Sequence, residues 1–233
     1  MKVLGIDTST LMTTCAVMDG EQLLGEFSLS LDMSHSEALV PMIKELLENL
    51  KLKPEEMDLF SVADGPGSFT GLRIGLATAK SLAHVTGKPI VGVSSLEVLA
   101  MGFPYQPLVV PMMDARRDRV FTGIYEMDGF PKTIMNPDAI EVSELTKIIK
   151  NLGKKVIAVG DGSVVYREEL QEELKDMIIF APGHLNLSSG SAVCKLGVKK
   201  YEEEGSDDLF TMAPDYLRDS QAQRALKEKR QTR

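Results

Sequence analysis

Apolar positions fall into short unbroken or alternating runs separated by stretches of helical period, punctuated by glycine, proline and aspartate. Residues 2–7 read as a buried strand that ends on the carboxylate of Asp7. Two further runs, 13–18 and 21–28, flank Asp19-Gly20, a pair that readily takes positive φ and so predicts a hairpin turn. Over 34–50, Leu39, Ile43, Leu46 and Leu50 recur on one helical face. Ser34 and Glu37 have capping-box spacing at its start, and Pro41 inside it removes a hydrogen bond and predicts a kink. A strand over 59–63 leads into the turn Asp64-Gly-Pro-Gly-Ser-Phe-Thr-Gly71, then a helix to residue 85, a strand at 89–93 and a short helix at 94–101.

After a break at 102–107 the same order returns. A hairpin over 108–113 and 119–125 and a third strand before Glu141 precede a helix at 143–151, a strand at 155–159, a helix at 164–174, a strand at 177–180 and a helix at 187–204. No sequence repeat accompanies this repeat of pattern. Two βββαβαβα-type lobes in an α/β chain describe the two-lobed actin/sugar-kinase/heat-shock-protein ATPase-like fold, which says nothing about activity by itself. The expected lobes are 1–103, carrying the glycine loop, and 104–233, with the C-terminal segment free to pack back on the first lobe.

The second helix carries small residues at every fourth position, Gly71, Gly75, Ala79 and Ala83, flanked by Leu72, Leu76 and Leu82. Glycine costs a helix interior roughly 1 kcal/mol relative to alanine, so two on one stripe need a reason. A phosphate cradle at a helix N-terminus is one; a close helix–helix contact is the other.

Charge and cysteine usage narrow the class. The 233 residues carry a net charge of −8, which disfavours nucleic-acid binding through overall charge. The basic stretch after Gln223 is the exception and reads as a solvated terminus. Cys15 and Cys194 lie far apart and fit no metal or redox spacing, so both are expected to be buried free thiols in a reducing compartment. No apolar run approaches the ~18 residues of a membrane span, and residues 1–7 read directly into a strand with no signal-peptide h-region of the usual length. A cytoplasmic protein that contacts no membrane is the expectation.

The catalytic inventory is poor. In this architecture a strand-ending Asp and a small-residue turn hold phosphate and metal; Asp7-Thr8-Ser9 is a fair remnant. The matching turn of the second lobe should be glycine-rich to bring backbone N–H groups against phosphate. Here it reads Asp114-Ala-Arg-Arg117-Asp118-Arg119, without glycine, and an internal ion-pair turn is the favoured reading. Asp7, Ser9, Arg116 and Arg117 therefore mark a degenerate nucleotide site. Gly160-Asp161-Gly162 has two readings, an adenine-side remnant and a plain turn, and a lone Gly-Asp-Gly after a strand is more often the turn. His35, His84 and His184 share no ligand spacing, no metal site is predicted, and no serine sits in a nucleophile elbow.

Several segments together resemble the bacterial TsaB (YeaZ) family over nearly the whole chain. They are Gly5-Ile-Asp-Thr-Ser9, His35-Ser-Glu-Ala-Leu-Val-Pro41, the glycine loop running on to Gly75, Asp114-Ala-Arg-Arg117 and Pro214-Asp-Tyr-Leu-Arg218. The resemblance implies a non-catalytic subunit in making threonylcarbamoyladenosine at position 37 of tRNA, pairing with its catalytic paralogue TsaD, with the ATPase TsaE joining the pair. It also implies self-pairing as a homodimer in the absence of TsaD and contact with tRNA only through the complex. No cofactor is expected, with ATP or ADP confined to the junction with TsaE. TsaD carries a His-x-x-x-His metal pair whose positions fall here on Ser95 and Leu99, around Glu97; leucine cannot coordinate a metal. The family pairs through its two long helices, which makes His35, Leu39, Met42, Leu46, Gly71, Leu72, Gly75, Leu76, Ala79 and Ala83 the candidate partner interface. The competing classes are an active ATP-dependent kinase or ATPase of this fold, opposed by the Arg-rich turn, and a glycoprotease-like metallopeptidase, opposed by the missing histidines.

Overall fold

A computed structural model describes residues 1–30 and 35–217, without the side chains of His35 and Ser36. The expected capping residue Ser34 and the basic C-terminal stretch lie outside the described residues.

The first half forms β1 (Lys2–Asp7), β2 (Met12–Asp19), β3 (Gln22–Ser30), α1 (His35–Leu50), β4 (Leu59–Gly65), α2 (Phe69–Thr86), β5 (Ile90–Ser94) and α3 (Ser95–Ala100). The second forms β6 (Val109–Asp114), β7 (Arg119–Asp128), β8 (Phe130–Glu141), α4 (Val142–Leu152), β9 (Val156–Val159), α5 (Asp161–Val165), α6 (Arg167–Leu174), β10 (Ile178–Phe180) and α7 (Gly190–Glu204). The sheets run β3-β2-β1-β4-β5 and β10-β9-β6-β7-β8. Read from its own hairpin, the second has the same order as the first: two antiparallel pairings, then two parallel ones. The repeated pattern in the sequence is thus a repeated topology, that of the actin/sugar-kinase/heat-shock-protein ATPase class.

Two expected helices differ in detail. The helix expected over 164–174 is two, α5 and α6, because Tyr166 leaves helical geometry (φ −103°, ψ 20°) and donates its hydroxyl to Asp114 at 3.1 Å. The last helix starts at Gly190 rather than 187, where the Ser189 hydroxyl accepts from the Ala192 amide and caps it. Helix α1 continues through Pro41 without a break.

Each lobe keeps two helices on the outer face of its own sheet. Leu39, Leu46, Leu76 and Ala79 of α1 and α2 pack on Leu4, Ile6, Phe60 and Val62, and Leu145, Ile149 and Leu170 of α4 and α6 pack on Val110, Met112 and Val120. The final helices are exchanged. Leu96, Leu99 and Ala100 of α3 pack on Val109, Met113, Tyr125 and Val159 of the second sheet. Helix α7 lies on the first sheet, with Cys194 against Val3 and Ala16, and Val193 and Leu196 against Ala63 and Val93. Helix α7 brings the chain back to the first sheet.

That return needs a strand without a side chain at one place. A Cβ on Gly5 would lie 2.4 Å from the Gly190 carbonyl oxygen and 2.9 Å from the Cys194 amide nitrogen, both backbone atoms of α7. The two cysteines are buried free thiols, and burial pushes Cys15 up to about 12, so neither is poised as a thiolate.

Gly5→Ala is therefore expected to lower unfolding free energy by about 3 kcal/mol, since neither backbone segment can yield. Urea unfolding measures it; a change within about 0.5 kcal/mol, the range of neutral surface substitutions, would mean that α7 moves aside at little cost.

Candidate functional site

Asp7 ends β1 wholly buried. One carboxylate oxygen accepts the Ser9 amide at 2.6 Å, and the other accepts the hydroxyl of Ser188, on the approach to α7. The Ser9 carbonyl accepts the Ser68 amide at 2.7 Å, tying the β1 turn to the glycine loop. The Asp-Thr-Ser remnant is thus in place, but the carboxylate that would face a phosphate-bound cation is engaged by the chain itself.

The opposing turn between β6 and β7 is closed in another way. Arg116, Arg117 and Asp118 take three successive left-handed conformations (φ 63°, 58° and 56°), a region costly for residues with side chains. Asp114 holds the turn together. Its carboxylate accepts the Arg116 amide at 2.9 Å and the Tyr166 hydroxyl at 3.1 Å, and pairs with the Arg116 guanidinium at 3.5 Å. Its amide donates to Asp161 at 3.2 Å. Desolvation first, and Asp114 second, push the Tyr166 phenol up to about 12, so it stays a donor to that carboxylate. Arg119 reaches Glu141 at 3.7 Å and the Ala139 carbonyl. The ion-pair reading of this turn is what the structure shows: the Arg116 amide, which a phosphate cradle would present outward, is spent on Asp114. Gly160-Asp161-Gly162 opens α5, with the Gly160 amide donated to Asn186 at 2.6 Å. At the positions matching a histidine pair, Ser95 and Leu99 are both buried, and Leu99 belongs to the α3 contact with the second sheet.

Nine of the ten residues read as a partner interface are buried within this chain. His35 has no described side chain. Leu39, Met42, Leu46, Leu72, Leu76, Ala79 and Ala83 are each at most 5 % exposed, and Gly71 and Gly75 are buried with them. The small-residue stripe faces this chain's own sheet. A Cβ on Gly71 would lie 2.0 Å from the Thr8 carbonyl oxygen, and one on Gly75 2.4 Å from the Thr8 hydroxyl. Thr8 in turn donates to the Gly71 carbonyl at 2.7 Å. The glycines are there so that α2 can lie directly on the end of β1. What the two helices show to solvent is different: Val40, Pro41 and Lys44 on α1, and Ala77, Ser81 and Val85 on α2.

A feature without periodicity completes the surface. Residues 205–217 run back along the β5 edge and over the polar side of α2. The Asp207 amide donates to Ile90 O at 2.9 Å and the Asp215 amide to Asp64 O at 2.8 Å. Arg73 donates to the Tyr216 hydroxyl at 2.8 Å while its guanidinium sits 3.8 Å over the Phe69 ring, and Tyr216 stacks on Phe69 at 5.0 Å. Lys80 donates to the Met212 carbonyl at 2.9 Å, and Phe210 meets His84 edge-on at 6.1 Å. The Pro214-Asp-Tyr-Leu run was the only sequence signal for this strap.

A family model described as "TsaD: tRNA N6-adenosine threonylcarbamoyltransferase" matches residues 24–226. A Bacillus subtilis (strain 168) protein named "tRNA threonylcarbamoyladenosine biosynthesis protein TsaB" is 29 % identical over 225 residues, 96 % of each chain. A Buchnera aphidicola protein of the same name is 30 % identical over 169 residues, 69 % of this chain and 78 % of the relative. Among solved structures, one of an uncharacterized protein with similarity to peptidase YEAZ from Pseudomonas aeruginosa superposes with a TM-score of 0.80 at 22 % identity, covering 93 % of this chain and 99 % of that one. At that identity the likeness is one of fold.

If the stripe serves the fold, Gly71→Ala should cost about 2–3 kcal/mol of stability while Ala77→Glu, on the exposed side of the same helix, stays within about 0.5 kcal/mol. Thermal and urea unfolding of the two variants decides it; equal stability would return the stripe to the surface.

Proposed function

The chain belongs to the TsaB (YeaZ) family, and from that premise we propose that it is a non-catalytic subunit in the synthesis of tRNA threonylcarbamoyladenosine, pairing with the catalytic subunit TsaD. The observation that carries the reading is that both sides of the nucleotide cleft are filled from within. Ser188 and the Ser9 amide engage Asp7, and Asp114 engages the amide and guanidinium of Arg116. Phosphate would have to displace charge-assisted contacts on both sides before it could bind.

The contact surface on this reading is the outward side of the two long helices rather than the stripe beneath it. Val40 and Val85 are 57 % and 77 % exposed there, beside Pro41 and Ala77. Their shape suits a helix pair from TsaD, or from a second copy when TsaD is absent, packed ridge into groove. TsaE joins this pair, ATP or ADP binds only at the junction with TsaE, and tRNA is met through the complex in the cytoplasm.

Reconstitution tests the proposal. TsaD and TsaE should modify tRNA only when this chain is added, and Val40→Glu with Ala77→Glu should weaken association with TsaD roughly tenfold or more by placing charge in a desolvated contact. Turnover of ATP by the purified chain alone, abolished by Asp7→Ala, would overturn the non-catalytic reading, as would full modification without it.

A further inference from the structure

Between the ends of β4 and β5 the first sheet forms a seat from which two side chains are missing, and the strap of residues 205–217 lies in it. A Cβ on Gly65 would run into the Asp215 carbonyl, and one on Gly92 would meet the Asp64 carboxylate and the Met212 methyl. Backbone fastens the strap at two points of this seat. The Asp207 amide bonds the Ile90 carbonyl at 2.9 Å and the Asp215 amide bonds the Asp64 carbonyl at 2.8 Å. Between those points Leu209 and Met212 pack on the core of the lobe, and Asp208 holds the turn by accepting the amides of Phe210 and Thr211, each at 2.8 Å.

Closing the strap brings like charges together. It sets the carboxylates of Asp207 and Asp215 against Asp64, while Lys200 of α7 acts on the same acid in the opposite sense. Lys200 is shared, since it also bonds Asp207 at 3.0 Å and the Gly92 carbonyl at 2.9 Å. Glu97 of α3 and Lys199, Glu203 and Glu204 of α7 line the same cleft, where Lys199 bonds Glu203 at 2.8 Å. From α2, Lys80 donates to the Met212 carbonyl at 2.9 Å. The strap thus carries two of the three carboxylates that crowd one shared lysine.

We propose that the strap is a proton-linked latch: it closes over Asp64 while that carboxyl is protonated, and ionisation of Asp64 loosens it. Loosening frees the Ile90 carbonyl and the Gly92 amide, which the Asp207 carboxylate now holds at 2.7 Å, at the open edge of β5. It also releases Arg73 and Lys80 on α2 from Tyr216 and Met212. The latch is a property of this chain alone and holds whatever partner the chain has.

The direction of the effect follows from burial. Desolvation first raises Asp64 to about 7; Lys200 opposes the rise, and Asp215 and Asp207 add to it. With the strap lifted, water returns and the two strap carboxylates move off, so the carboxyl falls back toward the ordinary carboxylate range. Closure therefore takes up a proton between that range and about pH 7. The strap is held most firmly at low pH, weakens as pH rises to about 7, and changes little above it.

Amide hydrogen exchange in the full chain tests this, followed by NMR and divided by the intrinsic rate at each pH. One proton per closure is tenfold per pH unit below about 7, so protection of the Asp207 and Asp215 amides should fall several-fold, up to about tenfold, between pH 6 and pH 8. The amide of Ile149, buried in α4 on the other sheet, should keep its protection over the same range. Asp64→Asn should hold the strap equally closed at both pH values. Asp215→Asn, at an exposed position that leaves the fold intact if the first variant is damaged, should shrink the fall. The latch is overturned if the parent protects both strap amides equally at pH 6 and pH 8, if either folded variant reproduces the parent's full fall, or if Ile149 loses protection in step with the strap.

Discussion

The close contact of α7 with the first sheet is the constraint on which the remaining structure depends. It is made by the last long helix on the first strands of the chain, with Ser61 donating to the Val193 carbonyl at 2.8 Å and Gly190 donating to Thr14 and to Glu26 at 3.2 and 2.9 Å. Because α3 is packed on the second sheet in the reciprocal way, the helix that covers the remaining face of each sheet comes from the other half of the chain. Burial of this much apolar surface favours the assembled state at roughly 25 cal/mol per Å² removed from water, so rocking one lobe against the other would expose core on two sides at once. The same contact delivers Ser188 to Asp7. The packing of α7 and the engagement of the Asp7 carboxylate are one event.

The glycine loop and α2 take a different role once Thr8 is considered. A helix with glycines at every fourth position can accept another helix, a phosphate or a strand end, and the distances select the strand end. Gly71 and Gly75 let α2 descend onto β1, which in turn draws Ser68 against the Ser9 carbonyl. The loop is then held by its neighbours without a ligand. On its other side α2 is covered by the strap of residues 205–217, through Arg73, Lys80 and His84. Among the described residues, one side of α2, with Ala77, Ser81 and Val85, is left uncovered.

Periodicity made most of the architecture legible in the sequence, because each strand and helix announces its own apolar face. The repeat of element order was visible for the same reason. What a face packs on is not local information: Leu39, Leu76 and Ala79 read equally well as a surface for another protein and as the cover of a sheet. The Arg116–Asp114 turn could be read correctly because its charges lie two residues apart. The Ser188–Asp7 contact could not, since its partners stand 181 residues apart and serine is too common to signal anything. The strap escaped notice because it is held by backbone amides and a few aromatic and cationic contacts, which leave no period.

These contacts divide the surface of the first lobe by physical character. At the turn after β1 and at the turn between β6 and β7, polar groups that could hold phosphate are bonded within the chain, as Asp7 and Asp114 show. At the β5 edge, Asp64 and Glu97 are held in a partly desolvated place where Lys199 and Lys200 of α7 oppose the effect of burial. Gly92 is part of the reason. A side chain there would occupy the space now filled by the Asp64 carboxylate, whose oxygen would lie 2.0 Å from a Cβ at that position. Strand β5 thus omits a side chain where the Asp64 carboxylate sits, and Lys200 of α7, bonded to the Gly92 carbonyl and to Asp207, also acts on that acid.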